Sequence, residues 1–267
     1  MAPVTLMVSL LADLESGMLQ AYSIAFAVGS LIGLLYLGWE IPSASSAGRR
    51  IPPPMRMGAA IIALGTGVIA ARLGFVLPHG EYYANHPEQI LMFWEGGLSW
   101  VGGAIGALLA LMIVAAIEKN SFWSLMDAMA IPAVILAFAC WFGCLLEGCS
   151  YGKAADFGLF TPLSADIFGT VAKRWPVQGS GSLLCVAAFL LLRALDHRKL
   201  AAGALGCLSL AMISAISLLL AFGRGDPVPA YLGVRLDALA SGGLLALSIL
   251  MLTLRAGLAE KGRRLND

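Results

Sequence analysis

Two ionisable side chains stand in otherwise apolar runs: Arg72 in AARLGFVLP and Glu147 in FACWFGCLLEGCSYG. A guanidinium in such a run needs an anion, and a lipid phosphate is the nearest abundant one. Two other fates are open to it, snorkelling to the interface or pairing with Glu147. Glu147 follows Cys140 and Cys144 at i, i+4 and i+7, so the three share a helix face. Partly buried there, it suits the work of a general base; in a headgroup layer it is only a solvated carboxylate.

A glycine-rich stretch, FWEGGLSWVGGAIGALLALMIVAA at 93–116, is the third feature. Ser99, Gly103, Gly106 and Ala110 fall on one helix face with Gly102 beside them. Small residues let helix backbones approach in a membrane, and they also open backbone to a ligand. Position alone leaves both readings open.

The familiar signatures are missing. No GxSxG, HExxH, phosphate loop or dinucleotide fingerprint occurs, and none of the three histidines accompanies a Ser or Cys nucleophile pattern. Cys140-x3-Cys144-x4-Cys149 is not a zinc spacing, so neither a metal nor a cofactor is expected. Cys185 and Cys207 read as small buried hydrophobes. A thiol nucleophile at Cys144 or Cys149 is a weak option, with Lys153 the nearest cation.

Positioning these residues falls to membrane helices. The chain is 59% hydrophobic and 12% charged, against roughly 25% charged in a soluble domain. A net charge of +1 gives no case for nucleic acid. The first seventeen residues hold Asp13 and Glu15 and no Lys or Arg, so they lack the basic region of a signal peptide. Seven apolar runs are long enough to span: Met18–Trp39, Met57–Leu77, Leu98–Ile117, Trp123–Leu146, Gly181–Leu195, Ala201–Phe222 and Leu236–Leu254. The expected fold is an all-α polytopic membrane protein, one integral-membrane domain over 1–267 with a long loop at about 149–178.

Basic residues orient it. Arg49, Arg50, Arg56, Lys119, Arg193, Arg198, Lys199, Arg255, Lys261, Arg263 and Arg264 flank one set of span ends; Lys153, Lys173, Arg174, Arg224 and Arg235 flank the other. The richer side is expected to be cytoplasmic, with the N-terminus and the long loop outside and the C-terminus inside. Tyr22, Arg72, Ser99, Gly102, Gly103, Glu147 and Arg224 then gather at one depth, near the outer leaflet.

AYSIAFAVG (21–29), ARLGFVL (71–77), HPEQILMFWEGGLSWVGGAIGALLAL (86–111), GCLLEGCSYGKAADFG (143–158), RWPVQ (174–178) and GRGDP (223–227) follow one another in an order that resembles the prolipoprotein diacylglyceryl transferase family. The resemblance implies a multi-pass protein of the bacterial inner membrane that moves the diacylglyceryl group of phosphatidylglycerol onto the lipobox cysteine of a preprolipoprotein. It implies Tyr22 as the group orienting the headgroup, and Glu147, two positions from where the family has its glutamate, stands in as candidate base. Arg72, Ser99, Gly102, Gly103, Gly143, Gly152 and Arg224 become substrate-binding candidates. The chain departs from the family pattern at Val101, where the family has a histidine, and at Trp141, where it has an arginine. The alternative is a catalytically altered homologue that binds lipid.

Overall fold

Apolar runs of this length cross a bilayer only as helices, because every backbone N–H and C=O must be satisfied within the segment. The computed structural model describes residues 21–39, 51–93, 96–166, 168–198 and 200–264. Among them, seven helices are long and apolar enough to span. They are α1 (Ala21–Gly38), α2 (Pro53–Val76), α4 (Trp100–Ile117), α5 (Phe122–Glu147), α6 (Val177–Asp196), α7 (Ala204–Ala221) and α8 (Leu236–Arg264); a short α3 (Gly80–Asn85) follows α2. The expected spans agree with these to within four residues, except that α8 continues to Arg264, past the expected end at Leu254. Met18–Gln20, the start of the first, lie outside the described residues.

The fifth span is longer than its hydropathy suggests. It begins at Val177, directly after Pro176, rather than at Gly181. Gln178, Gly179, Ser180 and Ser182 dilute the apolar signal of its first turns. The Ser182 hydroxyl is satisfied within the helix, donating to the Gln178 carbonyl at 3.1 Å.

The loops hold structure that periodicity did not reveal. Strand β1 (Leu163–Ala165) pairs antiparallel with β2 (Val171–Lys173), and β3 (Ala230–Tyr231) with β4 (Val234–Arg235). Both hairpins lie in connections at one end of the bundle, here called the loop end. It gathers the start of α1, the ends of α2, α5 and α7, and the starts of α4, α6 and α8.

Helix α5 is central: it packs on α1, α6 and α7, while α2 packs on α4 and α7 on α8. Ala130, Ile131 and Val134 of α5 meet Cys185 and Leu192 of α6 and Leu205 of α7 in one core. Ala59 and Ala63 of α2 meet Ala110, Leu111 and Val114 of α4 in a second.

Two contacts fix the helix pairs. A Cβ on Gly106 would lie 2.3 Å from the Ala70 Cβ and 2.8 Å from the Thr66 carbonyl oxygen, so the backbones of α2 and α4 approach as only glycine permits. At the far end, Asp127 of α5 accepts the Gly203 N–H at 2.7 Å and the Gly206 N–H at 2.9 Å, capping α7 from a neighbouring helix. Gly203 there has φ +90°, with the Trp123 ring 2.5 Å from where a Cβ would stand.

Gly106→Ala should lower the thermal stability of the purified protein by about 1–3 kcal/mol, the usual cost of overpacking. A Cβ on Gly58 of α2 meets nothing within 4 Å. Gly58→Ala should therefore raise stability by about 0.5–1 kcal/mol. Equal melting temperatures for the two variants would contradict the close α2–α4 contact.

Candidate functional site

The loop end brings the expected site residues together in three groups. The first surrounds Arg72, near the end of α2. Only 7% of this residue is exposed. Its Nε–H donates to the Ile90 carbonyl at 2.9 Å, Nη2 to Gln89 at 2.6 Å, and Nη1 to Gly96 at 2.6 Å and Gly97 at 3.1 Å. Four of the five guanidinium N–H groups are thus taken by loop carbonyls. The cation also lies 5.5 Å from the Tyr83 ring centroid. Arg72 neither snorkels nor reaches Glu147, because the chain supplies acceptors where it stands.

Local sequence makes that cradle. Gly96 and Gly97 take φ of +89° and +69°, a left-handed turn that aims both carbonyls inward. A Cβ on Gly97 would lie 2.7 Å from Arg72 Nη1. The strand then returns to α2, where the Ser99 N–H donates to the Ala71 carbonyl at 2.9 Å. Ser99 is also the N-cap of α4, its hydroxyl accepting the Gly102 N–H at 3.3 Å. Gly102 and Gly103 face α2: a Cβ on Gly102 would meet the Ala70 oxygen at 2.6 Å, and one on Gly103 the Ala71 Cβ at 3.4 Å. The two glycine pairs therefore do different jobs. Gly96–Gly97 hold the arginine, and Gly102–Gly103 pack helices. Of this stretch, Trp94 and Glu95 lie outside the described residues.

The second group is the α1–α5 seam. Glu147 Oε2 accepts the Ala21 backbone N–H at 2.7 Å. The Tyr22 hydroxyl donates to Cys140 Sγ at 3.6 Å. Gly143 lets the tyrosine in, since a Cβ there would lie 3.0 Å from Tyr22 Cα. Cys144 and Cys149 are joined in a disulfide with Cα atoms 4.6 Å apart. This overturns the option of either as a thiol nucleophile, because neither sulfur is a free thiol. The bridge spans the left-handed helix end at Gly148, φ +81°, and so encloses Glu147. Gln178, from the RWPVQ segment of the resemblance, joins this group by donating Nε2–H to the Cys149 carbonyl at 2.9 Å.

The third group zips the long loop to the connection after α7. Gly152 forms a bridge with Arg224, the Lys153 N–H donating to Gly223 at 2.9 Å and the Gly225 N–H to Tyr151 at 2.8 Å. A side chain at Gly152 would collide with the Trp175 carbonyl. Arg224 is paired with Asp226 at 2.5 Å and with Asp237 at 3.1 Å, and Arg235 reaches both acids at 3.3 and 3.1 Å. Partial burial pulls the Arg235 pKa down, but hydrogen bonds and charge from Asp237 and Asp226 outweigh it and hold the pKa above its ordinary value.

Sequence reasoning missed Asp166 and Arg174 as a pair. They are buried in the long loop and joined at 2.8 Å, with the Arg174 guanidinium 4.7 Å from the Tyr151 ring centroid. Aromatic–basic alternation in YGKAADFG and KRWP was the available signal. Val101, where the family has its histidine, is buried in α4. Among the described residues no cluster of His, Cys, Asp or Glu could hold a metal.

Arg72→Lys keeps the charge but loses the planar fork that meets four carbonyls. The variant should lose about 3 kcal/mol of stability, in the range for breaking a buried charged contact. Hydrogen exchange should quicken across residues 86–99 before it does in α6 or α7. Unchanged exchange in that loop would remove the structural role assigned to the arginine.

Comparison with known proteins agrees with the sequence resemblance. The family model described as prolipoprotein diacylglyceryl transferase matches residues 10–255. Curated relatives bear the name phosphatidylglycerol–prolipoprotein diacylglyceryl transferase. One from Bacillus licheniformis is 33% identical over 44% of this chain and 42% of its own length. One from Dehalococcoides mccartyi is 32% identical over 63% and 64%. One from Geobacter sulfurreducens is 29% identical over 76% and 78%. The chain thus spans between 42% and 78% of the length of these relatives. By a match that runs through all seven helices, the chain belongs to the prolipoprotein diacylglyceryl transferase family.

Proposed function

We propose that this chain transfers the diacylglyceryl group of phosphatidylglycerol to the lipobox cysteine of a preprolipoprotein, as a multi-pass protein of the bacterial inner membrane. The observation that carries this reading is the family match over 10–255, which includes every helix and loop that contributes to the loop end. In the reaction the thiol loses its proton, sulfur bonds to the glyceryl carbon, and that carbon's bond to phosphate oxygen breaks to release glycerol phosphate.

Glu147 is the base in this scheme. Oε2 is held by the Ala21 N–H, and Oε1 is the oxygen that takes the thiol proton. Tyr22, one residue further along α1, orients the headgroup. Arg72 and Arg224 supply positive charge for the phosphate. Arg72 has one N–H that no carbonyl among the described residues takes. Ser99, Gly102, Gly103, Gly143 and Gly152 let the elements that carry these groups pack closely enough to hold them in place.

The loop end faces outward in this reading. The Cys144–Cys149 disulfide supports it, since such bonds persist in oxidising compartments. So does the larger set of Lys and Arg at the other end.

A second reading, a lipid-binding homologue without transferase activity, is favoured by Val101 and by the extent to which Arg72 and Arg224 are already bonded. Expression in a strain depleted of its own transferase separates the two. Restored lipoprotein maturation is expected, with Glu147→Gln lowering it at least tenfold at equal membrane abundance. Failure of the unaltered chain, present in the membrane with phospholipid bound, would overturn the first reading in favour of the second.

A further inference from the structure

The β3–β4 hairpin presents a combination that folding alone does not explain. Its register, Ala230 with Arg235 and Tyr231 with Val234, leaves a two-residue turn of Leu232 and Gly233. Both turn residues are left-handed, with φ of +52° and +76°. Such a turn ordinarily takes Asn-Gly or Gly-Gly, and a leucine in it is disfavoured. The leucine gains nothing from packing in return, because 87% of it is exposed, and its neighbour Tyr231 is 65% exposed. A strained apolar tip held out from the protein calls for a partner outside it.

The base of the hairpin says what that partner is. The Leu236 N–H donates to the Pro229 carbonyl at 2.8 Å, so the hairpin closes directly on the first residue of span α8. Only three residues separate Leu232 from Leu236 in sequence, a reach of at most about 14 Å. The headgroup layer is roughly 5–8 Å thick on each side of the hydrocarbon. The tip therefore lies within reach of the bilayer that α8 enters, and Leu239 near that end of α8 is 44% exposed. The four charges at the base, Arg224, Asp226, Arg235 and Asp237, neutralise one another in a closed network. Their mutual pairing lets the hairpin base lie in the headgroup layer without an unpaired charge. An exposed Tyr beside an exposed Leu is also the composition that settles at a bilayer interface.

We propose that the Ala230–Arg235 hairpin is a membrane-interface anchor. Tyr231 and Leu232 insert among the lipids of the leaflet at the loop end, and the paired charges beneath hold the hairpin rigid. The anchor sets the height of the Arg224 network against the lipid headgroups. It does so whether or not the chain is a transferase.

The test uses the full chain carrying Leu232→Cys or Tyr231→Cys, each with a nitroxide attached and reconstituted into phosphatidylglycerol-containing vesicles. Unaltered protein controls for labelling of Cys140, Cys185 and Cys207. Collision with oxygen, which concentrates in lipid, is compared with collision with a water-soluble nickel chelate. The expected result is that both positions favour oxygen at least twofold. If Leu232→Cys does not fold, Tyr231→Cys reads the same depth alone. Greater access to the nickel chelate at the positions that fold would overturn the proposal and leave the tip free for a protein partner instead.

Discussion

A guanidinium surrounded by apolar helices must have its N–H groups accepted, and at Arg72 the chain bends to do so. Four carbonyls from residues 89–97 converge on one side chain. Everything nearby follows from that demand. The loop has to double back over α2, Gly96 and Gly97 have to be left-handed, and Ser99 has to arrive where it can bond Ala71 and cap α4. The same path brings α4 down onto α2 at the distance that excludes a side chain from Gly106. A buried cation without these acceptors would cost several kcal/mol, so the loop, the cap and the helix seam stand or fall together.

The two other groups at the loop end obey the same rule by different means. On the α1–α5 seam, one backbone N–H and one carboxylate satisfy each other, and a covalent bridge holds the turn that carries the carboxylate. In the long loop Asp166 pairs with Arg174, and beyond α7 two arginines pair with two aspartates. Arg72, Arg174, Arg224 and Arg235 are therefore each held by fixed partners. A phosphate approaching this end competes with carbonyls at Arg72 and with carboxylates at Arg224. Such competition favours an anion that brings binding energy of its own, as a lipid with two acyl chains does.

The spans were legible because length and hydropathy are properties of the chain alone. Arg72 and Glu147 stood out for a similar reason, being ionisable groups in apolar runs. Their partners did not, because a cradle of carbonyls leaves no trace in side-chain identity. The disulfide was hidden by geometry: Cys144 belongs to the helix and Cys149 lies past its left-handed end, so helical spacing says nothing about their meeting. Of the two glycine pairs, sequence drew attention to Gly102–Gly103 through their place in a helix. The pair that touches the arginine was the other one, and only the sign of its φ angles distinguishes it. Val101 shows the reverse case, a departure visible in sequence whose setting, a buried position in α4, required the structure.

At the opposite end of the bundle, Asp127 reaches from α5 to hold the first turn of α7, and Gly203 bends under the Trp123 ring to meet it. Four positions, 123, 127, 203 and 206, are thus locked into one joint across a sequence separation of 76. Exchanging α5 for a helix without Asp127 would leave the first amides of α7 uncapped, and exchanging the start of α7 for one without Gly203 would drive a side chain into the Trp123 ring. In this protein the natural unit of exchange is not the helix but the joint, and α5 and α7 travel as a pair.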